Sequence, residues 1–216
     1  MKRIFFLLFF PVSLLTSAQD EIFSLDFYRD LGEYEDTIHA QGGTFKASLY
    51  VSPNVSLDYN FGWTNREDGL HQIHTPFGLV YGAPIFAKGV IDLAVCAMQD
   101  DDSSQTIETD TSDCRVCDMG AAGVLVGGLI MAIPDGITVH VRPVEWLSIS
   151  PYANFIGMDF TKEDGTGEKD LVYSASLGTS LTFNIGKARI SGKYEWRKHK
   201  DIGGASMYGV GIGFRL

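Results

Sequence analysis

Basic residues are scarce in this chain: 17 lysines and arginines stand against 27 aspartates and glutamates among its 216 residues. Lys2 and Arg3 belong to the segment that we expect to be removed on export, which leaves 15 basic residues and a net charge of −12. A nucleic-acid partner is therefore disfavoured, because phosphate recognition requires a basic surface.

A recognisable catalytic constellation is also missing. A hydrolase needs a nucleophile or an activated water beside a histidine and a carboxylate. No spacing of serine, histidine and acid in this sequence identifies such a site. We therefore expect a protein that is not an enzyme and that carries no cofactor.

The N-terminus has the features of a secretory signal peptide. Lys2 and Arg3 precede the apolar run Ile4–Leu15, and the small residues Thr16, Ser17 and Ala18 follow it. The run is too short for the ~20 residues of a membrane-spanning helix, and no lipobox cysteine follows it. We expect residues 1–18 to be cleaved and residues 19–216 to form one domain.

Apolar and polar residues alternate along nearly the whole remaining chain. In the clearest segment, Val55, Leu57, Tyr59, Phe61 and Trp63 share one face, and small or polar residues occupy the other. This period of two predicts half-buried β-strands. The predicted strands span residues 21–29, 42–51, 54–63, 75–83, 86–98, 118–142, 146–160, 170–183, 187–197 and 205–216.

The connections between these strands alternate in length. Tight turns are predicted at 52–54, 84–85, 143–145 and 184–187, and longer connections at 30–41, 64–74, 99–117, 161–169 and 198–205. Short turns at one end and long loops at the other are typical of bacterial outer-membrane barrels. The prediction is an all-β, antiparallel, up-and-down transmembrane β-barrel of about ten strands, with eight as the alternative and both termini in the periplasm.

The segment 118–142 is the weakest strand of the set. Met119–Pro134 is uncharged and apolar on both faces, and Pro134 interrupts it. We interpret it as one long strand with a break or bulge near Pro134. A membrane helix is the alternative, but sixteen residues would rise only ~24 Å against a hydrocarbon core of ~30 Å.

Alternation alone does not distinguish a membrane barrel from a soluble lipocalin-like barrel, because exchanging the two faces leaves the pattern unchanged. Small residues on the polar face suit a narrow lumen, among them Ser174, Ser176 and Gly178. Aromatic residues near strand ends suit an interfacial girdle; they are Trp63, Tyr81, Phe155, Tyr173, Phe183 and Trp196. Both features favour an apolar face toward lipid.

The signal peptide, the alternation of short and long connections, and the terminal segment Tyr208–Leu216 resemble the small outer-membrane barrels of the OmpA/OmpX and porin-like class. That class commonly ends on an aromatic residue, whereas this chain ends on Leu216 with the aromatic at Phe214. The resemblance implies a bacterial outer-membrane location, contact with outer-membrane lipid and lipopolysaccharide, and recognition of Tyr208–Leu216 by the barrel assembly machinery. No family-specific functional motif accompanies it.

With the apolar face toward lipid, a set of charged side chains points into the lumen. They are Lys46, Asp58, Asp92, Arg189, Lys193, Glu195, Arg197 and Arg215, with His140 near the periplasmic end. We interpret these charges as a paired polar plug, because eight to ten strands enclose little free width. The expected function is a structural or surface-presenting barrel with acidic outer loops, assigned to 30–36, 100–113 and 163–170.

Besides a soluble ligand-binding barrel, two other functions stay open. The first is a small porin or solute channel, and the second is a membrane-embedded hydrolase that uses histidines of the predicted outer loops, namely His39, His71, His74 and His199. His71 and His74 share one predicted loop with Glu67 and Asp68. We interpret this group as part of a solvated loop and not as a metal site.

The three cysteines lie beside one predicted outer loop. Cys96 precedes the segment 99–117, and Cys114 and Cys117 lie at its end. In an oxidising compartment a disulfide from Cys96 to either Cys114 or Cys117 is expected, with one cysteine left over. A redox site lacks a thioredoxin-like context, and a metal site lacks a second pair of ligands.

Overall fold

A computed structural model describes residues 22–34, 37–100, 111–163, 169–200 and 203–216. These residues form ten β-strands and two α-helices. The strands are β1 (Phe23–Tyr34), β2 (Ile38–Ser52), β3 (Val55–Arg66), β4 (Leu70–Pro76), β5 (Gly136–Val139), β6 (Val141–Val144), β7 (Leu147–Glu163), β8 (Lys169–Ile185), β9 (Ala188–His199) and β10 (Gly203–Arg215). The helices are α1 (Phe77–Asp100) and α2 (Thr111–Met131). The predicted signal peptide lies outside the described residues.

The strands pair in a continuous antiparallel cycle. β1 pairs with β2 on one side and with β10 on the other, and the pairing continues through β9, β8 and β7. β2 pairs with β3, and β3 reaches β7 through β4 and β5. Each strand except β6 pairs on both sides, whereas β6 pairs with β7 alone among the described strands.

Three short strands share one position of this wall. β4 pairs with β3 through Gly62↔His74, and β5 pairs with β3 through Asp58↔Gly136. Both strands pair with β7, and β6 continues the line of β5 along the same neighbour. The ten described strands therefore occupy eight wall positions, so the alternative of eight is the correct strand number for the wall.

The predicted strands at 75–83 and 86–98 are wrong, because this segment forms α1. The sequence 118–142 is not one strand either: α2 ends at Met131, and only β5 and β6 follow it. Apolar residues occur on both faces of these segments, so the period of two was weakly defined there. Pro84, predicted to form a tight turn, lies inside α1.

The length argument against a helix at 119–134 failed because α2 begins earlier than the uncharged run. It spans 21 residues from Thr111, equivalent to ~31 Å. In α1, the segment Phe77–Met98 is long and apolar enough to cross a membrane, with a mean hydropathy of 1.6.

The two helices form a compact hairpin, residues 77–133, and the strands form a second unit. Glycines let the helix backbones approach closely: a Cβ added at Gly89 would lie 2.7 Å from the carbonyl carbon of Gly123. A Cβ at Gly127 would lie 2.7 Å from Cα of Phe86. Small residues at such an interface are typical of helices that pack in lipid.

A disulfide joins Cys96 of α1 to Cys117 of α2, with their Cα atoms 5.7 Å apart. This is one of the two pairings left open by the sequence. Cys114 lies in α2, and its side chain is outside the described part of the structure.

Thiol mapping tests this pairing. Under non-reducing, denaturing conditions we expect one thiol per chain to react with a maleimide, and peptide mass analysis to place it at Cys114. The Cys114→Ser variant should show no reactive thiol and keep the linkage between the peptides of Cys96 and Cys117. A linked peptide that contains Cys114 would contradict the assignment.

Four of the predicted long connections are shorter than predicted. β1 extends to Tyr34 and β2 begins at Ile38, so little chain separates them. β3 and β4 are joined by residues 67–69, β7 and β8 by 164–168, and β9 and β10 by 200–202. Asp30, assigned to an acidic loop from the sequence, instead lies in β1 and is 3% exposed.

The wall has a polar inner face and an apolar outer face. In β9, buried and exposed residues alternate at every position: Arg189, Lys193 and Arg197 are buried, and Ile190 and Trp196 are exposed. Of the six aromatic residues predicted for the girdle, Trp63, Phe155, Tyr173, Phe183 and Trp196 lie on exposed wall positions, whereas Tyr81 lies on α1. The apolar face thus points outward, as the sequence predicted.

Candidate functional site: the charged interior of the barrel

Inward-facing charges fill the inside of the wall. Because side chains of a strand alternate between faces, every second residue of β1, β2, β3 and β9 points inward. The result is a series of contacts between residues far apart in sequence. We define the polar plug as the partly buried Lys46 together with the buried residues Asp26, Asp30, Thr44, Asp58, Asn60, His74, Asp135, Thr138, His140, Tyr152, Asp159, Arg189, Lys193, Glu195, Arg197 and His199.

Asp58 and Lys46 form the pair nearest the short β2–β3 turn. Lys46 Nζ lies 2.9 Å from Asp58 Oδ2, and the carboxylate is fully buried. Ser48 donates a hydrogen bond to Asp58 Oδ1 at 2.8 Å, and the Thr138 hydroxyl donates to Asp58 Oδ2. Charge and hydrogen bonds together satisfy this carboxylate, as a buried charge requires.

Arg189 forms a second pair at the same end. Its Nε lies 3.3 Å from Asp26 Oδ1, and its Nη1 donates to the Tyr50 hydroxyl at 3.2 Å. His140 lies between two serines, with ring nitrogens 3.0 Å from Ser56 Oγ and 3.0 Å from Ser150 Oγ. These contacts fill the lumen between β1, β3 and β9.

Lys193 occupies the centre of the plug. Its Nζ lies 3.1 Å from Asp30 Oδ1 and 3.8 Å from Glu195 Oε2, and it donates to Thr44 at 3.1 Å. The same ammonium lies 4.7 Å from the ring centroid of Tyr28, within range of a cation–π contact. A single cation therefore joins β1, β2 and β9 on one side of the lumen.

Glu195 links Lys193 to the opposite end. Arg197 Nη2 lies 2.7 Å from Glu195 Oε1, and the Tyr152 hydroxyl donates to Glu195 Oε2 at 2.9 Å. Beyond this pair, Asp159 contacts two histidines: His74 Nδ1 at 2.8 Å and His199 Nε2 at 2.8 Å.

Asp135 is the point at which the chain re-enters the wall. Its carboxylate accepts from the backbone and the side-chain amide of Asn60, and lies 3.5 Å from His74 Nε2. Asn60 also donates to Asn154 at 3.2 Å. Asp135 therefore links the start of β5 to Asn60 of β3 and, through Asn60, to Asn154 of β7.

Lys46, Asp58, Arg189, Lys193, Glu195 and Arg197 of the predicted lumen network are all found in this interior. Asp92 is not: it lies on α1, and its carboxylate is 2.6 Å from Lys88 Nζ one turn earlier. Its assignment was wrong because the segment 86–98 is helical. Arg215 is half-buried near the end of β10, where it pairs with Ser24 of β1.

The histidines assigned to outer loops separate into two groups. His74 and His199 lie in the wall and are buried, which contradicts the loop assignment. His39 is on β2, 3.5 Å from Glu33, and His71 is on β4, 2.9 Å from Asn65 Oδ1. Since β4 sends His71 and His74 to different faces, they do not form one site, and no metal-binding group of three or more ligands occurs among the described residues.

Asp68, the carboxylate nearest these histidines in sequence, is held by Arg66. Slight burial raises the pKa of Asp68, but two hydrogen bonds and the charge of Arg66 outweigh that effect and hold the pKa below its ordinary value. The Asp68 carboxylate thus stabilises the β3–β4 turn, where it also accepts a hydrogen bond from the backbone N–H of Leu70 at 3.4 Å.

Asp26, Asp30, Asp135 and Asp159 are interior residues that the sequence-based network did not include. Asp26 was on the polar face of the predicted first strand, so its position was available from alternation. Asp30 lay beyond the predicted end of that strand. Asp159 was missed because β7 has a register shift between Asn154 and Gly157. Before the shift the even-numbered residues face inward, and after it the odd-numbered residues do.

No protein-family model and no curated protein matches this chain. Among solved structures, it is similar to Neisserial surface protein A, with 5% identity, a TM-score of 0.49, and coverage of 90% of this chain and 96% of that one. It is also similar to Ail of Yersinia pestis, with 12% identity, a TM-score of 0.42, and coverage of 90% and 96%. The N-terminal β-barrel domain of Pseudomonas aeruginosa OprF has 10% identity, a TM-score of 0.46, and coverage of 89% and 97%.

The strand pairing and the two faces of the wall define the fold independently of these likenesses. The described strands form an antiparallel, up-and-down β-barrel with a polar interior and an apolar exterior.

Proposed function

We propose that this protein is a non-enzymatic, non-conducting barrel of the bacterial outer membrane with a structural or surface-presenting role. The observation that supports the proposal is the polar plug: buried ion pairs join neighbouring and next-nearest strands at successive levels of the lumen. Two further contacts reach across the lumen between strands three wall positions apart, from Arg189 to the Tyr50 hydroxyl and from Lys46 to the Tyr152 ring. The described interior is thus occupied by the chain's own side chains, which argues against an open path for a solute.

The outer face supports the membrane location. Large apolar side chains are exposed on every side of the wall, among them Phe27 at 56%, Leu177 at 60%, Val210 at 70% and Ile212 at 61%. In water such a continuous apolar surface would be strongly unfavourable. The disulfide between the helices supports an exported protein, because such bonds persist in oxidising compartments.

Burial within the lumen argues against a small porin. Residues that line an open channel must be reached by water, yet Asp58, Asp135, Asp159 and Thr182 are fully buried. They lie at different levels of the wall, so an open path would have to pass several closed layers.

The interior also argues against a hydrolase. Ser56 and His140 are within hydrogen-bond distance, but Ser56 is fully buried, so a substrate has no access to its hydroxyl. The nearby acid, Asp58, accepts from Ser56 and not from His140. His74 and His199 are bound to Asp159 in the interior, where they stabilise a carboxylate.

Fractionation, gel mobility and planar-bilayer recording test the proposal together. We expect the protein in the outer-membrane fraction, faster migration on a gel without boiling, and no discrete conductance steps after reconstitution. A soluble periplasmic protein would refute the membrane location. Conductance by protein that keeps its heat-modifiable mobility would instead establish the channel alternative.

A matched pair of variants sharpens the conductance test. Glu195→Ala with Arg197→Ala shortens two interior side chains of the plug, whereas Tyr194→Ala with Trp196→Ala changes the outer face of the same strand. We expect the inner pair to give measurable ion leakage and the outer pair to stay silent. Equal leakage from both pairs would contradict the role of the plug.

A further inference from the structure

The hairpin of α1 and α2 exposes apolar side chains around its surface. On α1, Val90, Ile91 and Val95 are 45%, 61% and 45% exposed. On α2, Leu125 is 67% exposed and Leu129 71%. Only 11% of the most apolar stretch of α1 is buried. Such an apolar surface is unfavourable in water, so we expect it to contact lipid or another protein surface.

Charge is almost absent from the hairpin stem, which we define as residues 77–98 and 117–131. Its charged residues are Lys88, Asp92 and Asp118, the last lying beside the acidic segment at the far end. Lys88 and Asp92 contact each other at 2.6 Å on one helix face. The stem therefore has no polar face that would favour water or a charged protein partner.

The glycine interface explains why the large side chains point outward. Gly89, Gly120 and Gly123 bring the two backbones together, so the contact between the helices buries backbone and little side-chain surface. In water this packing would leave most of the hydrophobic side-chain surface exposed to solvent. In lipid it is the common solution, since close packing and not apolar burial holds the helices together.

The points at which the chain leaves and rejoins the barrel wall indicate the depth at which the hairpin is connected. Pro76 pairs with Gly157, and Gly136 pairs with Asn154, so the chain departs and returns at the middle of β7. On β3 the pairing with β4 ends at Gly62↔His74 and the pairing with β5 includes Asp58↔Gly136, again in mid-strand. Mid-strand positions of a transmembrane wall lie at the depth of the hydrocarbon.

We propose that the hairpin stem is solvated by the acyl chains of the outer membrane. The proposal rests on the proposed membrane location and adds to it that an α-helical hairpin shares the lipid. The 22 residues from Phe77 to Met98 rise ~33 Å, close to the ~30 Å hydrocarbon thickness.

Site-directed spin labelling in phosphatidylcholine vesicles tests this environment. A label at Leu129→Cys, in a Cys114→Ser background that retains the Cys96–Cys117 disulfide, reports collisions with oxygen and with a water-soluble nickel complex. Labels at Ile212→Cys on the outer barrel face and at Lys187→Cys in the exposed β8–β9 turn are the lipid and water references. A second hairpin label at Leu125→Cys repeats the measurement at another exposed position, in case the Leu129→Cys substitution itself disturbs the hairpin.

We expect the oxygen-to-nickel collision ratio at Leu129 and Leu125 to match that at Ile212 and to exceed that at Lys187. A water-like ratio at the hairpin with a lipid-like ratio at Ile212 would overturn the hairpin proposal alone. Exclusion of both reagents would also overturn it, since a second copy or another protein would then cover the stem. A water-like ratio at Ile212 as well would overturn the proposed membrane location.

Discussion

The Lys193→Met variant is expected to unfold with a free energy about 3 to 5 kcal/mol below that of the wild type. Lys193 lies between Asp30 and Glu195, with its ammonium 3.1 Å and 3.8 Å from their carboxylates. Methionine keeps much of the side-chain volume but removes the cation. Asp30 then stays buried without its cation, and the cost of burying an unpaired charge in the lumen appears as lost stability. Urea titration of the folded barrel in detergent micelles measures the difference.

A double-mutant cycle isolates the ion pair from the loss of packing. Asp30→Asn in the Lys193→Met background removes the orphaned charge, so we expect it to recover part of the lost stability. The outward substitution Tyr194→Phe, one residue away on the same strand, should change stability by less than about 0.5 kcal/mol. If the Lys193→Met variant is as stable as the Tyr194→Phe variant, the plug is not held by this cation.

The Ile212→Arg variant is expected to lose about 2 to 4 kcal/mol of stability in a lipid bilayer. Ile212 lies on the outer face of β10, is 61% exposed, and pairs with the apolar residues Phe27 and Ile190 on the neighbouring strands. An arginine there would face hydrocarbon among apolar side chains, where a charge is costly. Reversible unfolding from phospholipid vesicles measures the loss.

Two controls separate the membrane from the local strand. Ile212→Leu preserves the apolar surface and should be nearly neutral. Lys187→Arg tests an arginine in the exposed turn before β9 and should also be nearly neutral. Equal stability of the Ile212→Arg and Ile212→Leu variants in vesicles would mean that this face is not in contact with lipid.

The barrel wall was largely predictable from alternation because its two faces differ so strongly. In β9, the charged residues Arg189, Lys193 and Arg197 alternate with Ile190 and Trp196, and only one orientation is compatible with a bilayer. The same reasoning places Lys46 and Asp58 inside. Where alternation joins opposite chemistries, sequence alone determines both the strand and its orientation.

The helical hairpin was not predictable by the same argument. In residues 77–98 and 119–131 nearly every position is apolar or small, so periods of two and of 3.6 both fit the pattern. Glycine has a low helix propensity, yet Gly89, Gly120 and Gly123 are favourable here because they allow close helix packing. A tertiary contact thus outweighed the local preference.

The charge partners in the interior were only partly predictable, because pairing depends on the register across strands. Asp30 and Lys193 are far apart in sequence and meet only through the β1–β10–β9 pairing. Asp159 required knowledge of the register shift in β7. An alternating sequence indicates which side chains face inward, but it does not indicate which of them touch.

The shared wall position of β4 and β5 has a consequence for how such a protein can diversify. Since the cost of closing a loop grows only slowly with its length, the interval between Pro76 and Gly136 tolerates a large segment without loss of the pairing on either side. Replacing that segment by a short linker would yield a plain eight-stranded cylinder, and substituting a foreign helical pair would leave the frame intact. The interrupted strand is thus a graft point, through which unrelated modules can be acquired or lost during evolution or engineering.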